Sequence, residues 1–135
     1  MNFLLGSTGL VGSFLADELK NKKISFLAIN RRKVDYLSSD QQIIINEIND
    51  FDFFDVDKSY ISLGYPLKWN DLIFMKKNIK KLFYEVDFEL VLKLAKKLRM
   101  NGCHTLAIVS AVGANKSSKN YYLSIKGKLE EELRS

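Results

Sequence analysis

One stretch near the N terminus, Gly6-Ser7-Thr8-Gly9-Leu10-Val11-Gly12, constrains the fold more than any other part of the chain. It follows an apolar run, Phe3, Leu4 and Leu5, and opens into apolar residues at helical spacing, Leu10, Val11, Phe14, Leu15 and Leu19. Strand, glycine turn and helix in succession give such a motif its meaning. Gly6 permits a tight turn out of the strand, Gly9 lets another group approach the backbone, and Gly12 lets the helix pack closely on the strand. The start of the helix then presents free N–H groups and the positive end of its dipole, which together form a cradle for phosphate. A glycine turn in isolation also serves purely structural ends, so the rest of the chain has to supply its context.

At 135 residues the chain is long enough for one domain, 1–135, with a real core. No apolar run approaches the roughly 18 residues of a membrane span, and no basic segment precedes an apolar one as in a signal peptide. The single cysteine, Cys103, excludes an internal disulfide and predicts a reducing, cytoplasmic setting. A net charge of +5 raises the question of nucleic acid. The lysines fall in short runs (Lys20, Lys22, Lys23; Lys76, Lys77, Lys80, Lys81; Lys93, Lys96, Lys97) that read as solvated helix faces, so nucleic acid is not the expected partner.

Apolar runs predict strands at about 2–5, 24–29, 41–45, 59–63 and 105–109. The third, with Ile43, Ile44 and Ile45 in a row, reads as fully buried. Only about a dozen residues separate the second and third strands, so any crossover helix there must be very short. Helical periodicity marks 10–20, 82–100 and 120–134. In the second of these Phe83, Val86, Leu90, Val91, Leu94 and Leu98 form the apolar stripe, and Asn101-Gly102 stops it. Residues 67–81 read as a loop with some helix. The aromatics Phe51, Phe53, Phe54, Tyr60, Trp69 and Phe83 read as core and loop packing. Strands alternating with helices imply an α/β fold, a doubly wound parallel sheet of about five strands in the order 3-2-1-4-5. A ligand crevice is then expected where the order reverses, at the carboxyl ends of strands 1 and 4, beside the Gly6 turn.

Ser110, Tyr122 and Lys126 make the best chemical constellation. Tyr122 and Lys126 are four apart and share a helix face. An ammonium beside a phenol favours its ionisation and suits proton exchange nearer neutral pH. A serine hydroxyl at a strand end suits a substrate carbonyl, and together the three suit hydride transfer at a carbon bearing oxygen. After the second strand, where an acidic residue would bind the ribose 2′-OH of NAD, the chain has Asn30, Arg31 and Arg32; arginines suit the 2′-phosphate of NADP. Cys103 and His104 lie at the opposite end of the fifth strand, with no second histidine to complete a metal site, and read as structural.

The glycine turn, Ser110-Ala111-Val112-Gly113-Ala114-Asn115, Lys116-Ser117-Ser118, Tyr122 to Lys126-Gly127, Val86-Asp87 and Leu63-Gly64 together resemble the atypical short-chain dehydrogenases. The branch they resemble is the Tat-interacting-protein-like oxidoreductases, related to the sugar epimerases. The resemblance implies a Rossmann domain binding NADP or NAD at the 6–12 turn, at Asn30, Arg31 and Arg32, and at Leu63 and Gly64. It implies Tyr122 as proton donor and acceptor, Lys126 on the nicotinamide ribose, Ser110 orienting an unidentified small substrate, and pairing of subunits through helices 82–100 and 120–134.

The chain departs from the family at Asn46 and Glu47 after the third strand, and at Tyr65-Pro66-Leu67, where small polar residues are usual. It also ends at Ser135, short of the elements that shape the family's substrate pocket. A non-catalytic dinucleotide-binding module and a truncated remnant therefore stand beside the enzyme reading, and the fifth strand is expected to present an open edge.

Overall fold

The apolar run at the N terminus forms β1 (Phe3–Leu5), all three residues of which are buried. In a computed structural model describing residues Met1–Ser135 it is the central strand of five. The others are β2 (Leu27–Asn30), β3 (Gln42–Ile44), β4 (Lys58–Ile61) and β5 (Thr105–Ile108). All pairings are parallel, in the order β3-β2-β1-β4-β5, as the alternation of strands and helices predicts. Phe3 stands opposite Leu27 on one side and Ser59 on the other. This is the Rossmann-type α/β fold.

The chain divides into two compact units, Met1–Leu63 with Lys96–Ile108, and Gly64–Ala95 with Val109–Ser135. The first contains the whole sheet. Successive residues of β1 face opposite ways. Leu4 packs with Ala16 and Leu19 of α1 (Leu10–Asn21), and with Phe26, Ala28 and Leu37. Phe3 meets the rings of Phe51, Phe53 and Phe54 edge-on, at centroid distances of 6.0, 5.1 and 5.8 Å. Phe53 is therefore core packing, with Phe51 half-buried beside it, while Phe54 reaches Phe3 from an exposed loop position.

Two strand expectations are corrected. The second strand starts at Leu27, not Ile24, because Ile24 belongs to the end of α1. Lys23 adopts a left-handed φ of 55°, and the Ile24 N–H returns to the Leu19 carbonyl at 2.9 Å. The third strand is not fully buried, and Ile44 is exposed. β3 lies at the sheet edge, and the connection from β2 contains no helix. Gln42 anchors that connection, donating to the carbonyls of Val34 and Leu37 (both 2.9 Å) and accepting from the Val34 N–H.

The second unit contains α2 (Trp69–Ile73), α3 (Lys77–Phe83), and α5 (Tyr121–Arg134). A π-helical segment, Tyr84–Leu90, joins α3 to α4 (Val91–Met100), whose last residues, 96–100, belong to the first unit. Gly102, with φ +99°, ends α4 as the sequence predicts, and the Cys103 N–H returns to the Leu98 carbonyl. Met75, Phe83 and Ile125 form the core of the second unit, with Tyr121 and Tyr122 against them. Trp69 is not core packing; it is exposed, as are Ile73 and Phe74. No helix of the chain is long and apolar enough to cross a membrane.

Candidate functional site

In the first unit, each of the three turn glycines meets a different environment. Gly6 has φ +93°, and a Cβ there would lie 2.6 Å from the Ser62 carbonyl oxygen, where the chain leaves β4. A Cβ on Gly12 would lie 2.0 Å from the Gly6 carbonyl oxygen. These two are required by the turn itself. Gly9 is not: its φ of −87° suits any residue, and a Cβ would have nothing within 4 Å. Gly9 also caps α1, and without a side chain it satisfies none of the first-turn amides. The N–H groups of Leu10, Val11 and Gly12 precede the first helical bond, Ser13 N–H to the Gly9 carbonyl at 2.9 Å. Leu10 and Val11 are exposed beside them, whereas Thr8 is half-buried.

The turn is tied to the end of β2. Ser7, fully buried, donates its hydroxyl to Asn30 Oδ1 at 2.7 Å, and the Tyr36 hydroxyl donates to the Ser7 carbonyl. Asn30 Nδ2 is buried and has no partner in the protein. An orphaned buried donor is costly, so its place at the carboxyl end of β2 fits a ligand with an acceptor to offer. Arg31 and Arg32 follow on the surface. Leu63, half-buried, closes this stretch of the unit after β4.

In the second unit, Asn120 caps α5 by accepting the Leu123 N–H at 3.1 Å, which starts the helix one residue before Tyr122. Tyr122 packs on Phe83 with ring centroids 5.5 Å apart. Lys126 is buried, and its Nζ lies 2.7 Å from Asp87 Oδ1. That ammonium also lies 5.8 Å from the Tyr122 ring centre and 5.9 Å from that of Phe83. Asp87 Oδ2 accepts the Tyr65 N–H at 2.8 Å, and Gly64 lies so close that a Cβ would stand 3.3 Å from Asp87 Oδ1. α5 approaches the preceding loop through Gly127, where a Cβ would be 2.3 Å from the Lys116 nitrogen. Burial, reinforced by Tyr84, raises the pKa of the neighbouring Tyr121 phenol.

Tyr122 and Lys126 are thus brought together. Ser110 is not: its hydroxyl donates to Glu130 Oε1 at 2.6 Å. Glu130 lies two turns beyond Tyr122, about 12 Å along the helix. Asp87 is the residue that sequence reasoning missed. Its signal in the sequence is an acidic residue on an apolar helical stripe, at Val86-Asp87.

No family model matches the chain. It is similar to Protein FMP52, mitochondrial, of Candida glabrata, at 33% identity over 96% of this chain and 55% of that protein. It is similar to Protein HTATIP2 of Rattus norvegicus at 29% identity, over 97% of this chain and 55% of that protein. Among solved structures, the human epimerase family protein SDR39U1 with NADPH has the same fold, with a TM-score of 0.72 at 16% identity, covering 99% of this chain and 49% of that one. These likenesses bear out the resemblance to the atypical short-chain dehydrogenases of the Tat-interacting-protein-like branch. The chain spans about half the length of these relatives, 55% in both.

The cytoplasmic expectation is corrected. The FMP52 relatives from Candida glabrata, Saccharomyces cerevisiae and Candida albicans are all named as mitochondrial. One cysteine excludes an internal disulfide but does not distinguish one disulfide-free compartment from another.

Proposed function

We propose that the chain binds a nicotinamide dinucleotide, NADP in preference to NAD, and belongs to an oxidoreductase acting on a small carbonyl or alcohol. The observation that carries this reading is Gly9. Neither backbone conformation nor any protein neighbour requires glycine there, and the open space in front of it would let a ligand approach the backbone. The amides of Leu10, Val11 and Gly12, at the positive end of α1, would hold the pyrophosphate together with the backbone of Gly6, Ser7 and Thr8. The unpaired Asn30 Nδ2 would donate to the ribose of the adenosine half, with Arg31 and Arg32 meeting a 2′-phosphate through forked, charged hydrogen bonds. Leu63 and Gly64 would border the cofactor. Similar solved structures hold NADPH in one case and NAD in others, which supports a nicotinamide dinucleotide, and Arg31 and Arg32 are what favour NADP.

The cofactor supplies or accepts the hydride. Tyr122 would hold the proton exchanged with the substrate oxygen, Lys126 would bind the nicotinamide ribose, and Ser110 would orient substrate after leaving Glu130. Helices 82–100 and 120–134 would pair subunits. Calorimetric titration with NADPH and NADH tests the reading. Saturable NADPH binding, tighter than NADH and reduced toward it in an Arg31→Ala/Arg32→Ala double variant, is the expected result. Absence of binding by both dinucleotides overturns the proposal.

The Ser110–Glu130 bond favours a second reading, a module that binds the dinucleotide without turnover. That reading predicts NADPH binding with no carbonyl reduction across a panel of aldehydes and ketones. NADPH oxidation that Tyr122→Phe abolishes would refute it.

A further inference from the structure

Asp87 and Lys126 are the charged residues buried in this chain, with side-chain exposures of 4% and 6%. Packing alone gives no reason for them, because a buried ion pair is generally no more stable than apolar residues of the same volume. Its geometry is specific. One carboxylate oxygen takes the Lys126 ammonium at 2.7 Å and the other takes the Tyr65 N–H at 2.8 Å. Asp87 lies on the buried face of its helix, four residues from both Phe83 and Val91, while Val86 and Leu90 are only half-buried. Gly64 is the residue beside the carboxylate, and any side chain there would press on Oδ1. The Lys126 ammonium has three N–H donors, and Asp87 takes one. The Phe83 and Tyr122 rings, at 5.9 and 5.8 Å, accept no conventional hydrogen bond.

We infer that Asp87 is a positioning residue that acts through Lys126, keeping its ammonium aimed so that its remaining donors serve ligand hydroxyls, while the same carboxylate holds the loop at Tyr65. This rests on the reading of Lys126 as the ribose-binding group. Removing the carboxylate charge leaves the buried lysine without its partner, free to turn its donors away from a ligand.

The test is the NADPH dissociation constant of the whole chain, by fluorescence titration, for wild type, Asp87→Asn, Lys126→Met and the double variant. Asp87→Asn is expected to weaken NADPH by about ten-fold or more, the scale of a lost charged hydrogen bond. Lys126→Met is expected to weaken it at least as far, and the double variant to match Lys126→Met. If Asp87→Asn lowers the melting temperature but binds NADPH like wild type, or if the two losses simply add, the inference is overturned while the proposed function stands. If wild type binds no NADPH, the proposed function falls and the inference with it. Should Asp87→Asn not fold, the wild-type chain carrying nitrogen-labelled lysine decides the matter. The Lys126 ammonium resonance, assigned by its loss in Lys126→Met, must be slowly exchanging and must move on NADPH addition; a resonance that does not move overturns the inference.

Discussion

Alanine at Gly12 and alanine at Gly9 are the same chemical change in adjacent turns of one motif, yet their consequences should separate completely. At Gly12 the new Cβ would stand 2.0 Å from the Gly6 carbonyl oxygen and 3.0 Å from Ser7 Cα. Both are backbone atoms, and Gly6 is itself confined by the Ser62 carbonyl, so little can yield. Alanine in a helix normally gains about 1 kcal/mol over glycine. Overpacking against an immobile neighbour costs roughly 1–3 kcal/mol and more when backbone must shift, so the net loss expected is about 2 kcal/mol or greater. At this chain length a kilocalorie corresponds to roughly 3–4 °C, so Gly12→Ala should melt roughly 6–8 °C below wild type. At Gly9 the Cβ meets no atom within 4 Å. The cost there is only the difference between glycine and alanine as a helix cap, at most about 1 kcal/mol, while NADPH binding should be lost. Differential scanning fluorimetry with and without NADPH reads both effects. A Gly12→Ala protein melting at the wild-type temperature would refute the steric argument. A Gly9→Ala protein that melts as low as Gly12→Ala, or that binds NADPH normally, would refute the assignment of Gly9 to ligand approach.

Three smaller predictions follow from the same contacts. Asn120→Ala removes the α5 cap to the Leu123 N–H and the bond to the Leu72 carbonyl, and should cost about 1 kcal/mol by chemical denaturation, with Asn120→Ser recovering most of it. Ser59 has a buried hydroxyl with no partner, so Ser59→Ala should leave stability unchanged or raise it by about 1 kcal/mol; a lower denaturation midpoint would contradict this. Tyr121 has a phenol pKa raised above its ordinary value of 10.0. The unfolded chain therefore ionises first, and the contribution of this group, complete below about pH 10, is lost as pH climbs through the folded value. Tyr121→Phe should accordingly show a smaller alkaline loss of stability than wild type, measured by urea midpoints at neutral pH and near about pH 11.

The elements written in local chemistry were legible without coordinates. The Gly6–Gly12 turn, the Asn101-Gly102 stop and the parallel order of five strands all rest on glycine conformation, hydrophobic periodicity and the handedness of crossovers, which act over short stretches. The Tyr122–Lys126 pair was legible because a helix fixes which residues share a face. What escaped was decided by contacts distant in sequence. Ile24 reads as strand by composition, but the helix preceding it claims its N–H. Ile43, Ile44 and Ile45 read as buried, but they fall on an edge strand reached without a crossover helix, and Ile44 is exposed. Trp69 and Phe74 look like core residues by type and are not. Asp87 was hidden most fully, because a carboxylate on the inward face runs against the apolar pattern, and its partner Lys126 lies 39 residues away in sequence.

The wide π-helical turn that leads into α4 gives the second unit slack in the number of its residues as well as in their kind. Phe83, Asp87 and Val91, spaced by four, are all buried across the segment Tyr84–Leu90, while Glu85 and Glu89 between them are exposed. Either glutamate should accept almost any replacement. Deleting one would let the helix close to ordinary winding, and the seven steps then left between Phe83 and Val91 turn through about 700°, close to two full turns. Phe83 would still face inward together with Val91 and Leu94. An added residue finds no such slack, and would swing the preceding face by about 100°. In this helix a residue can be lost more easily than one can be gained.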